Sequence, residues 1–407
     1  MDFLLHKHSA KIEGEVLLSS SKSESNRALL IHALSNGQVK LSNLSDAQDT
    51  QTMQRLLKEN PETWDVIDAG TTMRFLTAYL AINGTEKTIT GSARMKERPI
   101  GPLVEALRLL GSKIDYREAD GYPPIQISKV AQQTTDEIQI PGNISSQYIS
   151  ALLMIAPTLP KGLTVQLTTE IFSRPYINMT LSLMKLFGAT YQWEGQTIYV
   201  DSAPYSGGEY TIENDWSGAS YWFGFIALSP DPDSSVTIPL LRDHSFQGDR
   251  RVATIMSDLG VHTEFLNGKI KLSKKEVTRE KITLDLKDCP DLAQTIMVVA
   301  SVVGVAISFT GLESLKIKET DRIQAMQNEL QKVGATLIED GNTWVLNPTS
   351  EIPDHVEIAT YLDHRMAMAF APLCQRTNVL IKDAGVVKKS YPVFWEAAQK
   401  VGIKITE

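Results

Sequence analysis

Apolar residues along this chain recur in blocks with helical spacing, and each block opens on a few small or polar residues. The pattern appears six times. Ser21-Lys22-Ser23 stands ahead of Ala28–Leu34, and the next two copies open at Ala69-Gly70-Thr71-Thr72 and Ile144-Ser145-Ser146-Gln147. The last three open at Trp216-Ser217-Gly218, Pro290-Asp291-Leu292 and Leu362-Asp363-His364. With Gly70, Ser145, Ser217, Asp291 and Asp363 as markers, the gaps are 75, 72, 74 and 72 residues; Lys22 to Gly70 is only 48. A recurring period of this kind marks a repeated supersecondary unit.

Each unit after the first adds a second amphipathic helix with a glycine stop. Between Arg98 and Gly111, Leu103, Leu107 and Leu110 share one face. Pro99 and Pro102 suit the helix entrance, and Gly111 suits a left-handed cap. Similar helices end at Gly188, Gly260, Gly334 and Gly402. Short β-rich runs follow, such as Thr190–Trp193 and Thr343–Leu346, the latter after a Gly341-Asn342 turn. The pattern predicts an α/β fold in two domains of about three units each. The chain is expected to cross between them near residues 18–21 and 212–215. The first domain then takes 1–20 with 214–407, and the second 21–213.

A length of 407 residues agrees with two domains. Net charge −8 and pI near 5.5 argue against a coat for nucleic acid or an anionic membrane. The apolar run from Ile296 to Phe309 is too short for a membrane span and reads as a buried helix followed by a strand. The two cysteines, Cys289 and Cys374, have no metal-ligand spacing and suit a reduced compartment. With no signal-peptide pattern at Met1–Lys7, a cytoplasmic location is expected.

The placement of cations changes the picture. A helix N-terminus carries partial positive charge and disfavours Lys and Arg. Yet Lys22, Arg27, Arg74, Arg98, Arg322, Arg365 and Lys389 all stand at or near predicted helix starts. A common cause is that these starts bind anionic ligands, with backbone N–H groups helping. The bland alternative is a set of internal salt bridges. Ser145, Ser146 and Ser173 read alone as helix caps, the commoner use of serine at a helix start, or as phosphate donors. Asp291 and Glu319, beside proposed cations, suit general acid–base work, or stand as mere helix caps or ion-pair partners.

The ordered blocks SKSESNRALL (21–30), DAGTTMRFL (68–76), RMKERPIGPL (94–103), SSQYISALL (145–153), SRPY (173–176), CPDLAQTI (289–296), KIKETDRI (316–323) and DHRMAMAF (363–370), with Lys389 last, resemble one family. It is that of 5-enolpyruvylshikimate-3-phosphate synthases, or 3-phosphoshikimate 1-carboxyvinyltransferases. The resemblance implies a two-domain inside-out α/β barrel of six βαβαββ-type repeats, three per domain, with the active site in the interdomain cleft. It implies that shikimate 3-phosphate contacts Lys22, Ser23, Arg27, Ser145, Ser146, Gln147, Ser173, Tyr176, Asp291 and Lys318. Phosphoenolpyruvate contacts Lys22, Gly70, Arg98, Gln147, Arg322, Arg365 and Lys389. Lys22, Asp291, Glu319 and Lys389 are the implied catalytic groups. Glyphosate is implied as an inhibitor at the phosphoenolpyruvate position. No metal, organic cofactor, nucleic acid or membrane partner is expected, and the chain is expected to be a monomer.

Three positions depart from the family pattern. The stretch between Leu57 and Asp68 lacks most of a strand pair, Ser314 replaces an asparagine that contacts shikimate 3-phosphate, and Phe75 replaces a proline. The related transferase acting on UDP-N-acetylglucosamine carries a reactive loop cysteine, which Arg94–Arg98 lacks. A non-catalytic binder of a phosphorylated metabolite would not need Asp291 and Glu319.

Overall fold

One assembly of strand, helix, strand, helix and strand pair recurs along the chain. The computed structural model describes residues 1–83, 86–128 and 132–407. One copy of the repeat runs Thr63–Asp65, Gly70–Asn83, Lys87–Thr90, Gly101–Leu109, Lys113–Tyr116, Ile125–Ser128. Its first two strands are parallel, and the last strand inserts antiparallel between the second and third. The same order returns in the sheets built from residues 137–200 and 281–347. Ile125 and Ile127 are fully buried while their neighbours are partly exposed, the alternation of a sheet with one face to the core.

Three sheets are completed by distant strands. Glu13–Glu15 pairs parallel with Ser235–Pro239, and Gly208–Thr211 pairs parallel with Val39–Ser42. Phe3–Leu5 lies antiparallel between Asn378–Ile381 and Ile405–Thr406, so the N-terminus supplies the last strand of the last repeat. The Val39–Ser42 sheet has two strands, in keeping with the shortened first unit. That unit nevertheless has a second helix, Gln48–Glu59, which ends without a glycine stop. Its stop is Asn60 at φ 46°, and asparagine tolerates the left-handed region better than most side chains.

The chain divides into two compact units, Met1–Ser19 with Glu213–Glu407, and Ser20–Ile212. These boundaries fall one residue before those expected. Within the first, helices Trp216–Leu228, Ala293–Val303 and His364–Phe370 pack on one another. Every residue of Trp216–Leu228 is buried, the signature of a helix that is apolar all round. Within the second, Lys22–Leu34, Gly70–Asn83 and Ser146–Ile155 pack in the same manner.

The glycine stops take the predicted backbone form. Gly111, Gly188, Gly260, Gly334 and Gly402 all have φ between 84° and 104°. At Gly111 the backbone closes a helix end by Gly111 N–H to Arg108 O and Ser112 N–H to Leu107 O. Leu103, Leu107 and Leu110 are fully buried and Leu109 is exposed, as the spacing requires. Ala293–Val303 and Ala306–Thr310 are the helix and strand expected from the apolar run. Among the described residues, no helix is long and apolar enough to cross a membrane.

Candidate active site

In the unit Ser20–Ile212, the central helices bring their N-terminal ends side by side. Ser21 caps the helix that carries Lys22, Ser23 and Arg27, its hydroxyl accepting from the Glu24 N–H at 3.4 Å. Ser145 caps the helix of Ser146 and Gln147, and Gln147 Nε2 donates to Thr71 Oγ1 across to the next helix at 2.9 Å. Lys22 Nζ lies 3.3 Å from Asp49. Ser145 is thus a cap with an exposed side chain, while Ser146 is buried in the first turn. Ser173 precedes Arg174–Leu186 at φ 54° and makes no side-chain cap bond.

Arg27 is buried and donates to Thr180 Oγ1 (2.7 Å), Ser23 O (2.9 Å) and Ser150 Oγ (3.3 Å), all neutral acceptors. Phe75 and Tyr176 stand 5.4 and 5.7 Å from its guanidinium. Burial pulls its pKa down to about 10, which still leaves it charged at neutral pH. Gly70 begins the helix Gly70–Asn83, where a Cβ would sit 2.6 Å from Arg98 Nη2. The absence of that atom lets the Arg98 guanidinium lie against the helix start, held by Asp68 O at 3.3 Å.

Arg74 corrects the reading of the seven cations. Its guanidinium turns inward to Gly70 O (3.1 Å) and Pro99 O (2.6 Å) and stacks near Tyr148. Burial lowers its pKa, and Tyr148 Oη shares the same Pro99 carbonyl at 2.5 Å. Arg74 therefore splints the Arg98 loop to the helix. Its place in the sequence matched that of a ligand cation because it sits one helical turn from Gly70.

The unit Met1–Ser19 with Glu213–Glu407 gathers the acids. Asp291 lies in the turn Pro290–Leu292 before its helix, and Glu319 lies three residues before Arg322. Arg322, 2 % exposed, donates to Asp363 Oδ2 (2.7 Å), Glu319 Oε2 (2.8 Å) and Asp291 Oδ1 (3.1 Å). Burial would lower its pKa, but the three carboxylates outweigh that and raise it. Arg365 Nη2 donates to Asp291 Oδ2 at 2.9 Å, and Lys318 Nζ lies 3.9 Å from Asp291 Oδ1. Asp363 also caps its helix by accepting from the Arg365 N–H. Lys389 closes the turn Ala384–Lys389 and donates to Leu362 O at 3.0 Å. Asp291 and Glu319 are therefore ion-pair partners of one guanidinium and neither is the cap of its helix.

Sequence reasoning missed several members of these clusters. Asp249, buried and accepting from Ser217 Oγ, has its pKa pushed up to about 7 by burial and then by Asp291. Asp49 on Lys22 and Tyr221 on Arg365 (3.4 Å) gave no local signal. Ser314 lies half-buried in the turn Glu313–Ile317.

This arrangement places fixed cations, hydroxyls and helix N-termini in one unit and a carboxylate–arginine cluster in the other. Such groups suit anionic substrates and proton transfer. The family model for EPSP synthase (3-phosphoshikimate 1-carboxyvinyltransferase) matches residues 6–60 and 60–398. A 3-phosphoshikimate 1-carboxyvinyltransferase of Bacteroides fragilis strain YCH46 is 49% identical over 410 residues, covering 100% of this chain and 99% of its own. That of Sodalis glossinidius is 36% identical over 417 residues, covering 95% and 94%. A solved structure of EPSP synthase from Acinetobacter baumannii matches over 100% of both chains with a TM-score of 0.82 at 20% identity, a likeness of fold. The chain belongs to the EPSP synthase (3-phosphoshikimate 1-carboxyvinyltransferase) family.

Proposed function

We propose that this chain transfers the enolpyruvyl group of phosphoenolpyruvate to the 5-hydroxyl of shikimate 3-phosphate, releasing inorganic phosphate. The observation that carries the reading is Arg322, which holds Asp291 and Glu319 on one guanidinium beside Arg365. An incoming carboxylate competes for the same donors. Binding of phosphoenolpyruvate to Arg322 and Arg365 thus releases the two acids for proton transfer as it fixes the reacting carbon.

The hydroxyl oxygen bonds to C2 of phosphoenolpyruvate while C3 takes a proton from Glu319, which has been protonated from solvent on release from Arg322, giving a tetrahedral intermediate. Asp291 takes the hydroxyl proton. The C–O bond to phosphate then breaks, the departing phosphate takes up the proton held by Asp291, and Glu319 recovers a proton from C3 to give the enol ether. Lys22, Arg98 and Lys389 balance the leaving phosphate, with Gly70 and Gln147 beside it. Ser23, Arg27, Ser145, Ser146, Ser173, Tyr176 and Lys318 hold shikimate 3-phosphate. Arg27 supports this role: a buried cation with neutral partners is stabilised by a bound anion.

In each unit the three packed helices form the inner layer and the sheets the outer one, an inside-out α/β barrel. The enzyme acts as a cytoplasmic monomer, and these steps call on no metal or organic cofactor. The cysteine-dependent relative is disfavoured, because burial pushes both Cys289 and Cys374 thiols up to about 12. To test the roles, kcat of Asp291→Asn and Glu319→Gln is measured alongside binding of both substrates. A loss of about 100-fold or more in kcat with binding retained is expected; wild-type turnover in either variant rejects its acid–base assignment.

A further inference from the structure

Two consecutive residues before the Asp363 cap, Tyr361 and Leu362, have φ of 53° and 56°. Neither is glycine, asparagine or aspartate, so the turn is strained and something must hold it. The holding group is Glu329, on the helix Arg322–Lys332, whose side chain is fully buried. Its Oε1 accepts from Tyr361 Oη at 2.7 Å, and its Oε2 from Ala359 N–H at 3.1 Å and Lys332 Nζ at 2.7 Å. Asn328 Nδ2 also donates to Tyr361 Oη at 3.2 Å.

The turn has two consequences on its other side. It sends the Leu362 side chain outward, 65% exposed, and presents the Leu362 carbonyl to Lys389 at 3.0 Å. Immediately after it, Asp363 accepts from Arg322 and from the Arg365 backbone. Three cations thus take their positions from one short segment, Thr360–Arg365.

We infer that Glu329 and Tyr361 are positioning residues, which clamp the Tyr361–Leu362 turn so that Lys389, Arg322 and Arg365 meet phosphoenolpyruvate. The inference rests on the ligand roles proposed above for those three cations. The clamp holds the turn and contacts none of the three cations among the hydrogen bonds given above, so it acts on the substrate they bind more than on turnover.

The test is steady-state phosphate release, with each substrate varied in turn and thermal unfolding measured on the same preparations. Tyr361→Phe keeps the ring and removes the tether. It is expected to raise the KM for phosphoenolpyruvate about five- to tenfold, with the KM for shikimate 3-phosphate and kcat within about twofold. Leu362→Val, β-branched in a left-handed position, is expected to show the same split. Leu362→Asn, whose side chain tolerates that conformation, is expected to leave the KM at the parent value. A folded Tyr361→Phe with both KM values unchanged, or with both raised equally, overturns the inference. Absence of phosphate release by the parent protein instead overturns the functional reading on which it rests.

Discussion

At Gly70 one added carbon is enough to displace a cation. A methyl group there meets the far end of a flexible side chain, since Arg98 Nη2, Cζ and Nη1 all fall within 2.8 Å of the added carbon. The guanidinium must swing away while the helix itself stays intact. Gly70→Ala is therefore expected to raise the KM for phosphoenolpyruvate about tenfold, with little change in melting temperature. Glyphosate inhibition is expected to weaken in parallel, as an inhibition titration of both proteins would show; equal inhibition contradicts the account. Asp249 gives a pH-dependent counterpart. Its folded-state pKa, near 7, lies above the ordinary carboxylate value of 3.8. The native chain thus keeps this proton up to about pH 7 whereas the unfolded chain loses it near 4. Its contribution to stability is fully present below pH 4 and falls as pH rises toward and through 7. Asp249→Asn is expected to shrink the drop in melting temperature between pH 5 and pH 8. An unchanged drop argues that the buried carboxyl is ionised throughout.

Among elements, helix starts and helix stops were the legible features. Lys22, Arg98, Arg322 and Arg365 stood out because their positions oppose the helix dipole, and such a conflict asks for a ligand or a partner. Arg74 shows the limit of that signal: it occupies a similar place yet spends its donors on two backbone carbonyls. Asp249, Glu329 and Tyr361 were hidden because their roles depend on contacts between elements distant in sequence. The glycine stops, in contrast, are local devices and can be read locally. Gly304, at φ 83° with open space around its Cβ position, is expected to cost about 1 kcal/mol when changed to alanine. Gly111 has φ 104° and would bring a Cβ within 2.5 Å of Gln132 O, so Gly111→Ala should cost more, about 2–3 kcal/mol. Denaturant unfolding of the two variants orders them; a smaller loss for Gly111→Ala would show that the backbone there yields.

For the whole molecule, periodicity revealed six repeats but could not show which strands complete which sheets. The pairing of Phe3–Leu5 with Asn378–Ile381 spans almost the full chain, and no local pattern encodes such a distance. That strand joins the two ends of the sequence in one sheet, with Leu5 fully buried. Removing residues 1–5 leaves Asn378–Ile381 and Ile405–Thr406 without their shared partner and is expected to lower the melting temperature by several degrees. Phosphate release reads the transfer reaction itself. Purified protein is supplied with phosphoenolpyruvate and shikimate 3-phosphate, with each omitted in turn and UDP-N-acetylglucosamine offered as the alternative acceptor. The account predicts release that requires both phosphoenolpyruvate and shikimate 3-phosphate and does not occur with the nucleotide sugar. No release with both substrates demonstrably bound, or release that depends on the nucleotide sugar, would contradict it.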